Sequence, residues 1–197
     1  TGVQTCALPI LFNRELYLNA YAKLYPNNGA MTKGVTDETV DGMSIQKIDR
    51  MIEILREEKY QWKPARREYI KKKNGKKRPL GIPVWGDKVL QEVMRQILEA
   101  YYEPQFSEHS HGFRPNRGCH TALQEIQVWK GTRWFIEGDI SQYFDTIDHK
   151  ILLEILARNI HDGRFIRLVS NMLEAGYLEE WKFNQTISGV PQEIGRA

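Results

Sequence analysis

The chain has 197 residues, 41% hydrophobic and 27% charged, with a net charge of +3 and a mean hydropathy of -0.54. That composition supports one or two globular domains with a real core and excludes collagen-like, disordered and disulfide-stapled chains. No stretch approaches the roughly 18 apolar residues of a membrane helix, and two cysteines, Cys6 and Cys119, give no disulfide framework, so a reducing compartment is the default.

Thr1 to Ile10 (TGVQTCALPI) has no charge and no helical or strand period, and it lacks the basic start and long apolar core of a signal peptide. Its back-translation, ACT GGA GTT CAG ACG TGT GCT CTT CCG ATC, is that of a common short-read sequencing adapter. GAG ATC GGA AGA GCN, which encodes Glu193 to Ala197 (EIGRA), is the same adapter read outward. The expectation is that residues 1–10 and 193–197 are adapter-derived and lie outside the fold, leaving 11–192 as native sequence. A source nucleotide record with different codons at both ends would refute it.

Helices are expected over 46–58, 86–101, 119–130, 148–158 and 163–175, and strands near 68–73, 78–84, 134–140 and 177–183. Ser44 can cap the first helix, whose Ile45, Ile48, Ile52 and Leu55 recur at helical spacing. Val89, Leu90, Val93, Ile97, Leu98 and Tyr101 make a second apolar stripe that ends before Pro104. Asp148 can cap a helix carrying Ile151, Leu152, Ile155 and Leu156. Asp162 can cap another, with Phe165, Ile166, Val169, Met172 and Leu173 inside and Gly176 as its stop. Trp134 to Ile140 reads as a short apolar strand that ends in a carboxylate.

Charge is concentrated. Lys63 to Arg78 holds nine basic residues (Lys63, Arg66, Arg67, Lys71, Lys72, Lys73, Lys76, Lys77 and Arg78) against Glu68, a net +8, while the rest of 11–192 sums to -5. A basic patch on a mildly acidic body suits a phosphate ligand. Asn74-Gly75 between Tyr69-Ile70 and Leu80-Gly81-Ile82 is a strong hairpin signal, so these cations line a projecting hairpin.

Asp139, at a strand end, is a suitable hard-cation ligand for Mg²⁺, and a charge beside Trp134, Phe135 and Ile136 needs a partner. Asp145 serves equally as turn former or site residue, and Asp148 reads as a helix cap before a ligand. One carboxylate cannot hold two metal ions. His109, His111, Cys119 and His120 invite a zinc reading, but they lack the paired spacing of structural zinc sites, and Arg114 and Arg117 crowd a cation. Those two arginines instead suit a Gly-Phe-Arg-Pro turn that positions backbone phosphates. Trp62, Trp85, Trp129, Trp134 and Trp181 are expected in the core, with no function assigned.

Four blocks together carry a resemblance. Lys76-Lys77-Arg78-Pro79-Leu80-Gly81-Ile82-Pro83 comes first, then Ser110-His111-Gly112-Phe113-Arg114-Pro115 with His120-Thr121-Ala122-Leu123. Glu137-Gly138-Asp139-Ile140-Ser141-Gln142-Tyr143-Phe144-Asp145 with Ile147-Asp148-His149 follows, and Gly189-Val190-Pro191-Gln192 closes the series. In this order they resemble group II intron reverse transcriptases, and Gly34-Val35-Thr36 with Val40-Asp41-Gly42 is similar to that family's amino-terminal extension.

The resemblance implies an α+β right-hand polymerase fold, helix-rich with short antiparallel strands. It divides the chain into an amino-terminal extension and first helix (11–62), fingers (63–132) and a partial palm (133–192). It implies an RNA-directed DNA polymerase that adds deoxynucleotides to a primer 3′-end by two-metal catalysis with Mg²⁺. Asp139 would be the first catalytic aspartate and metal ligand, with the Ile140 carbonyl as a second oxygen. Lys71 or Lys72, together with Arg78, would hold the incoming triphosphate. Phe144 would be the steric gate against a ribose 2′-hydroxyl, and Gln192 would contact the nucleotide or its template pair. Lys63, Arg66, Arg67, Lys73, Lys76, Lys77, Arg114 and Arg117 would grip nucleic acid.

The implied partners are RNA template and intron RNA, DNA primer or target, and deoxynucleoside triphosphates; oligomeric state is left open. The family's Tyr-x-Asp-Asp block is absent from these residues, so the polypeptide alone is expected to be inactive. An RNA-binding splicing cofactor (maturase) and a bacterial retroelement or defence reverse transcriptase are the alternatives.

Overall fold

The computed structural model describes residues 7–71, 75, 77–186 and 189. Its elements are α1 (Ala7–Ile10), α2 (Arg14–Leu24), a 3₁₀ turn (Val40–Gly42), α3 (Ile45–Arg56), β1 (Ala65–Lys71), β2 (Lys77–Ile82), α4 (Trp85–Tyr102), a 3₁₀ turn (Glu103–Gln105), α5 (Cys119–Gln127), α6 (Tyr143–Thr146), α7 (His149–Ala157), α8 (Gly163–Glu174), β3 (Tyr177–Glu179) and β4 (Lys182–Asn184). They fall into two compact units, residues 95–141 and the remainder.

The larger unit is built on its caps. Ser44 Oγ accepts from the Lys47 N–H at 3.3 Å, which starts α3 and lets Ile48, Met51, Ile52 and Leu55 face inward. Ile45, in the first turn of that helix, stays exposed. Asp162 Oδ1 accepts from the Arg164 and Phe165 N–H groups, and α8 buries Phe165, Leu168, Val169 and Leu173. Gly176, at φ 72, ends that helix, and a Cβ there would lie 2.6 Å from the Asn184 carbonyl, so only glycine fits. Val89, Leu90 and Val93 of α4 complete the core.

At the amino terminus one helix goes unpredicted and one expectation fails. α2 gives only a faint sequence signal because it buries little beyond Tyr17 and Ala20. Ala7–Ile10, expected outside the fold, forms a short helix with Ala7 and Leu8 buried, and the Leu8 N–H donates to Asp162 Oδ2 at 2.9 Å. Apolar residues beside an apolar helix face are buried whatever codons encode them.

The sheet has the order β2-β1-β3-β4. β1 and β2 form the expected hairpin, in antiparallel register from Arg66 opposite Ile82 to Lys71 opposite Lys77. β3 joins β1 in parallel, so the sheet is mixed and not purely antiparallel. The single strand expected near 177–183 is a hairpin, β3 to β4, whose turn residues Glu180 and Trp181 both have positive φ. The Ala65 N–H donates to Gly176 O at 3.0 Å, which fastens the start of β1 to the end of α8.

In the smaller unit the strand expected over 134–140 does not form. Residues 132–140 carry no regular structure, and Trp134, Phe135 and Ile136 are 87%, 74% and 93% exposed. A strand completes its hydrogen bonds only on a neighbour, and none of the described strands runs beside this segment. Trp62 and Trp85 are core residues as expected, but Trp129, Trp134 and Trp181 are exposed, against expectation.

Candidate nucleotide and nucleic-acid site

The basic hairpin owes its geometry to strand alternation. Arg78 lies opposite Ile70 and shares a sheet face with Arg66, Glu68 and Leu80, whereas Lys71 lies opposite Lys77 on the other face with Arg67 and Tyr69. Lys71 and Arg78 therefore do not converge across the strands. Lys72, Lys73 and Lys76 lie outside the described residues, as does Gln192.

Neighbouring cations are partly engaged. Arg66 donates from Nε (3.1 Å) and Nη2 (2.9 Å) to the Lys33 carbonyl and pairs with Glu68, which ties the hairpin to the amino-terminal segment. Nearby, a Cβ on Gly34 would lie 2.8 Å from the Pro83 carbonyl oxygen. The Arg67 guanidinium stacks 3.6 Å over the Tyr177 ring. Lys63 has an exposed side chain, while its N–H donates to Asp87 Oδ2 at 3.0 Å. The Tyr60 hydroxyl donates to the other oxygen of Asp87 at 2.6 Å. Burial holds the Asp87 carboxyl above the usual carboxylate range, against the opposing pull of these two hydrogen bonds. This buried anchor sets where the chain enters β1.

Phe144 is 41% exposed on α6, edge-on to Tyr143 at 5.5 Å. Asp148 acts as the cap it was expected to be: Oδ1 accepts from the Ile151 N–H at 3.0 Å. One contact escaped sequence reasoning. His149 Nε2 donates to the Gly189 carbonyl at 2.6 Å, and the Gly189 N–H donates to Ile147 O at 2.8 Å. The start of the Gly-Val-Pro-Gln block is thereby pinned to the Ile147-Asp148-His149 turn, a pairing of distant residues that no local pattern announces.

In the smaller unit, Arg114 is turned inward. Its side chain is 8% exposed; Nε donates to Glu103 Oε1 at 3.0 Å, and Nη1 donates to Ser107 O at 2.6 Å and Ser110 O at 2.9 Å. Arg114 thus closes the 103–114 loop instead of standing open to a phosphate, and Arg117 donates to the Glu108 carbonyl. His109 and His111 both donate to Glu125, His111 at 2.7 Å, and these two hydrogen bonds hold the Glu125 carboxyl below the usual carboxylate range, His111 foremost. Asp139 and Ile140 are exposed in the irregular 132–140 segment, so the packed strand end expected to hold them is absent. Among the described residues no three His, Cys, Asp or Glu side chains come together as a metal site.

Residues 70–193 match the family described as reverse transcriptase (RNA-dependent DNA polymerase). The chain belongs to the reverse transcriptase family. It is 50% identical over 184 residues to the group II intron-encoded protein LtrA of Lactococcus lactis subsp. cremoris, covering 92% of this chain and 31% of that protein. An uncharacterized 91 kDa protein in the cob intron of Schizosaccharomyces pombe is 49% identical over 183 residues, 92% of this chain and 23% of that protein. The chain thus spans about a third or less of the curated relatives named here. A solved Cas6-RT-Cas1--Cas2 complex superposes with a TM-score of 0.61 at 20% identity, over 94% of this chain and 19% of that one, which establishes the fold. Lys71, Arg78, Asp139, Ile140, Phe144 and Gln192 all lie inside the reverse transcriptase match, while Lys63, Arg66 and Arg67 precede it. No helix among the described residues is long and apolar enough to cross a membrane.

Proposed function

We propose that this chain is the fingers and first palm segment of a group II intron reverse transcriptase, an RNA-directed DNA polymerase of the bacterial cytoplasm. The observation that carries this reading is the 50% identity to an intron-encoded protein across 92% of the chain, together with the reverse transcriptase match that includes Asp139. Its partners would be RNA template and intron RNA, a DNA primer or target, and deoxynucleoside triphosphates. The intron origin of the relatives also favours a splicing-cofactor role in the same full-length protein.

The donors fit Mg²⁺ in kind, because the Asp139 carboxylate and the Ile140 carbonyl are hard oxygens, but among the described residues they do not fit two ions in number. When bound, Mg²⁺ would neutralise charge on the reacting phosphates. The chain's own groups do the rest. Arg78 holds the triphosphate. Since Lys71 stands on the other face of the hairpin, Lys72 is the lysine assigned to accompany it. Phe144 sterically excludes a ribose 2′-hydroxyl, and Gln192 meets the nucleotide or its template pair. Lys63, Arg66, Lys73, Lys76 and Arg117 add charge along the nucleic acid, with Arg114 ordering the loop that carries Arg117.

The test is a chimera in which residues 11–192 replace the aligned segment of LtrA. It is expected to extend a DNA primer on an RNA template, with Asp139→Ala lowering the rate by about 10³-fold or more. The 197-residue polypeptide alone is expected to incorporate nothing. A chimera that binds template yet never extends the primer, or one indifferent to Asp139→Ala, would overturn the reading.

A further inference from the structure

The sheet has a second face that the polymerase site leaves unused. Arg67, Tyr69 and Lys71 of β1 share it with Lys77, Pro79 and Gly81 of β2, opposite to the side carrying Arg78. The pairing of Ala65 with Tyr177, and of Glu179 with Lys182, extends this face across β3 and β4. Three contacts knit it together: the guanidinium of Arg67 over the Tyr177 ring at 3.6 Å, Lys77 Nζ at 5.9 Å from the Tyr69 centroid, and the Tyr69 hydroxyl donating to Glu179. Pro79 and Gly81 raise no long side chain over these planes, and Tyr69, Lys71, Lys77 and Lys182 are exposed.

At the edge of the sheet, the two-residue turn between β3 and β4 places Glu180 and Trp181 at φ 49 and 63, and Trp181 is 92% exposed. A hairpin turn of this hand is ordinarily filled by Asn-Gly. A bulky ring held in that sparse region and fully in solvent gains nothing from the core and points to a ligand. The charge identifies the ligand. Four cations stand on the face against Glu179, with Glu180 at the turn, a balance complementary to phosphate. Flat rings spaced among cations are what unpaired bases stack on, whereas a duplex hides its base faces.

We propose that this outer face of the fingers sheet is a second nucleic-acid site, which binds single-stranded RNA with Arg67, Lys71, Lys77 and Lys182 along the phosphates and Tyr69, Tyr177 and Trp181 against unpaired bases. The site uses none of the residues assigned to the triphosphate once Lys72 takes that role.

The experiment is fluorescence anisotropy of a labelled, unstructured oligoribonucleotide, alone and annealed to its complement, across a salt series with neither Mg²⁺ nor deoxynucleotide present. Failure here is therefore distinguishable from failure of the polymerase reading. Tyr69→Leu and Trp181→Leu are each expected to weaken single-strand binding about ten-fold with the salt slope unchanged. Lys77→Gln and Lys182→Gln are each expected to lower that slope by about 0.7. Tyr69→Phe keeps the ring, loses the bond to Glu179, and is expected to bind like the parent. Parent-like binding by both leucine variants, Tyr69→Phe as weak as Tyr69→Leu, or duplex bound as tightly as single strand would each overturn the proposal.

Discussion

Phe165, Val169 and Leu173 of α8 and Phe135, Ile136 and Ile140 of the 132–140 segment are apolar side chains of the same kind, yet the first three are at most 4% exposed and the last three at least 67% exposed. The difference lies in what each backbone needs. α8 satisfies its own N–H and C=O groups and takes its cap from Asp162 only a residue away, so its backbone needs no second segment. The 132–140 segment has the composition of a strand, but its hydrogen bonds require a second chain segment alongside, and the described sheet is built elsewhere, from residues 65–82 and 177–184. Apolar composition selects a candidate for burial; a partner decides whether burial happens.

The sharpest way to break this contrast is to remove one ring and one aliphatic chain. Phe165→Ala is expected to cost about 3–5 kcal/mol by urea unfolding, because the side chain is fully buried. Ile136→Ala, at a 93% exposed position, should lie within about 0.5 kcal/mol of the parent. Equal losses would show that residues 132–140 are packed after all.

Glycines offer a second, smaller comparison. Gly176 and Gly131 share a positive φ of 72 and 75, but a Cβ at Gly176 would meet the Asn184 carbonyl at 2.6 Å while one at Gly131 would meet nothing within 4 Å. Gly176→Ala is expected to cost about 3 kcal/mol, strain plus collision. Gly131→Ala should cost about 1–2 kcal/mol, strain alone. Thermal unfolding reads both, and a harmless Gly176→Ala would mean that the α8–β3 junction is not as tight as drawn.

The smallest expected effect is one of sign. Asp87, in the larger unit, has its carboxyl raised from 3.8 by burial, so the stability it contributes is full below that pH and is lost as pH rises through the higher folded value. Glu125, in the smaller unit, is lowered from 4.5 by His111 and His109, so its contribution is present above that pH and lost as pH falls through the lower folded value. Carboxyl NMR titration should find Asp87 titrating above its ordinary value and Glu125 below. Shifts of the same sign would dissolve this contrast.

Much of the candidate site is legible along the chain. The +8 run and its Asn-Gly turn specify a basic hairpin, because the backbone chemistry of turns is local. The caps Ser44, Asp148 and Asp162 sit where their helices start for the same reason. The blocks around Arg78 and Asp139 fall within the reverse transcriptase match. What could not be read was any property that depends on a distant neighbour: Arg114 satisfied by its own loop, His149 fastened to Gly189, or three of five tryptophans outside the core.

The sequence by itself determined five of the helices, the hairpin and the order of the family's blocks, since periodicity, caps and turns act within a few residues. The tertiary structure decided faces and partners. It set Lys71 apart from Arg78, brought β3 parallel to β1, and left Asp139 exposed without a strand beneath it. Strand pairing joins residues more than a hundred positions apart, and no local signal specifies which two edges will meet.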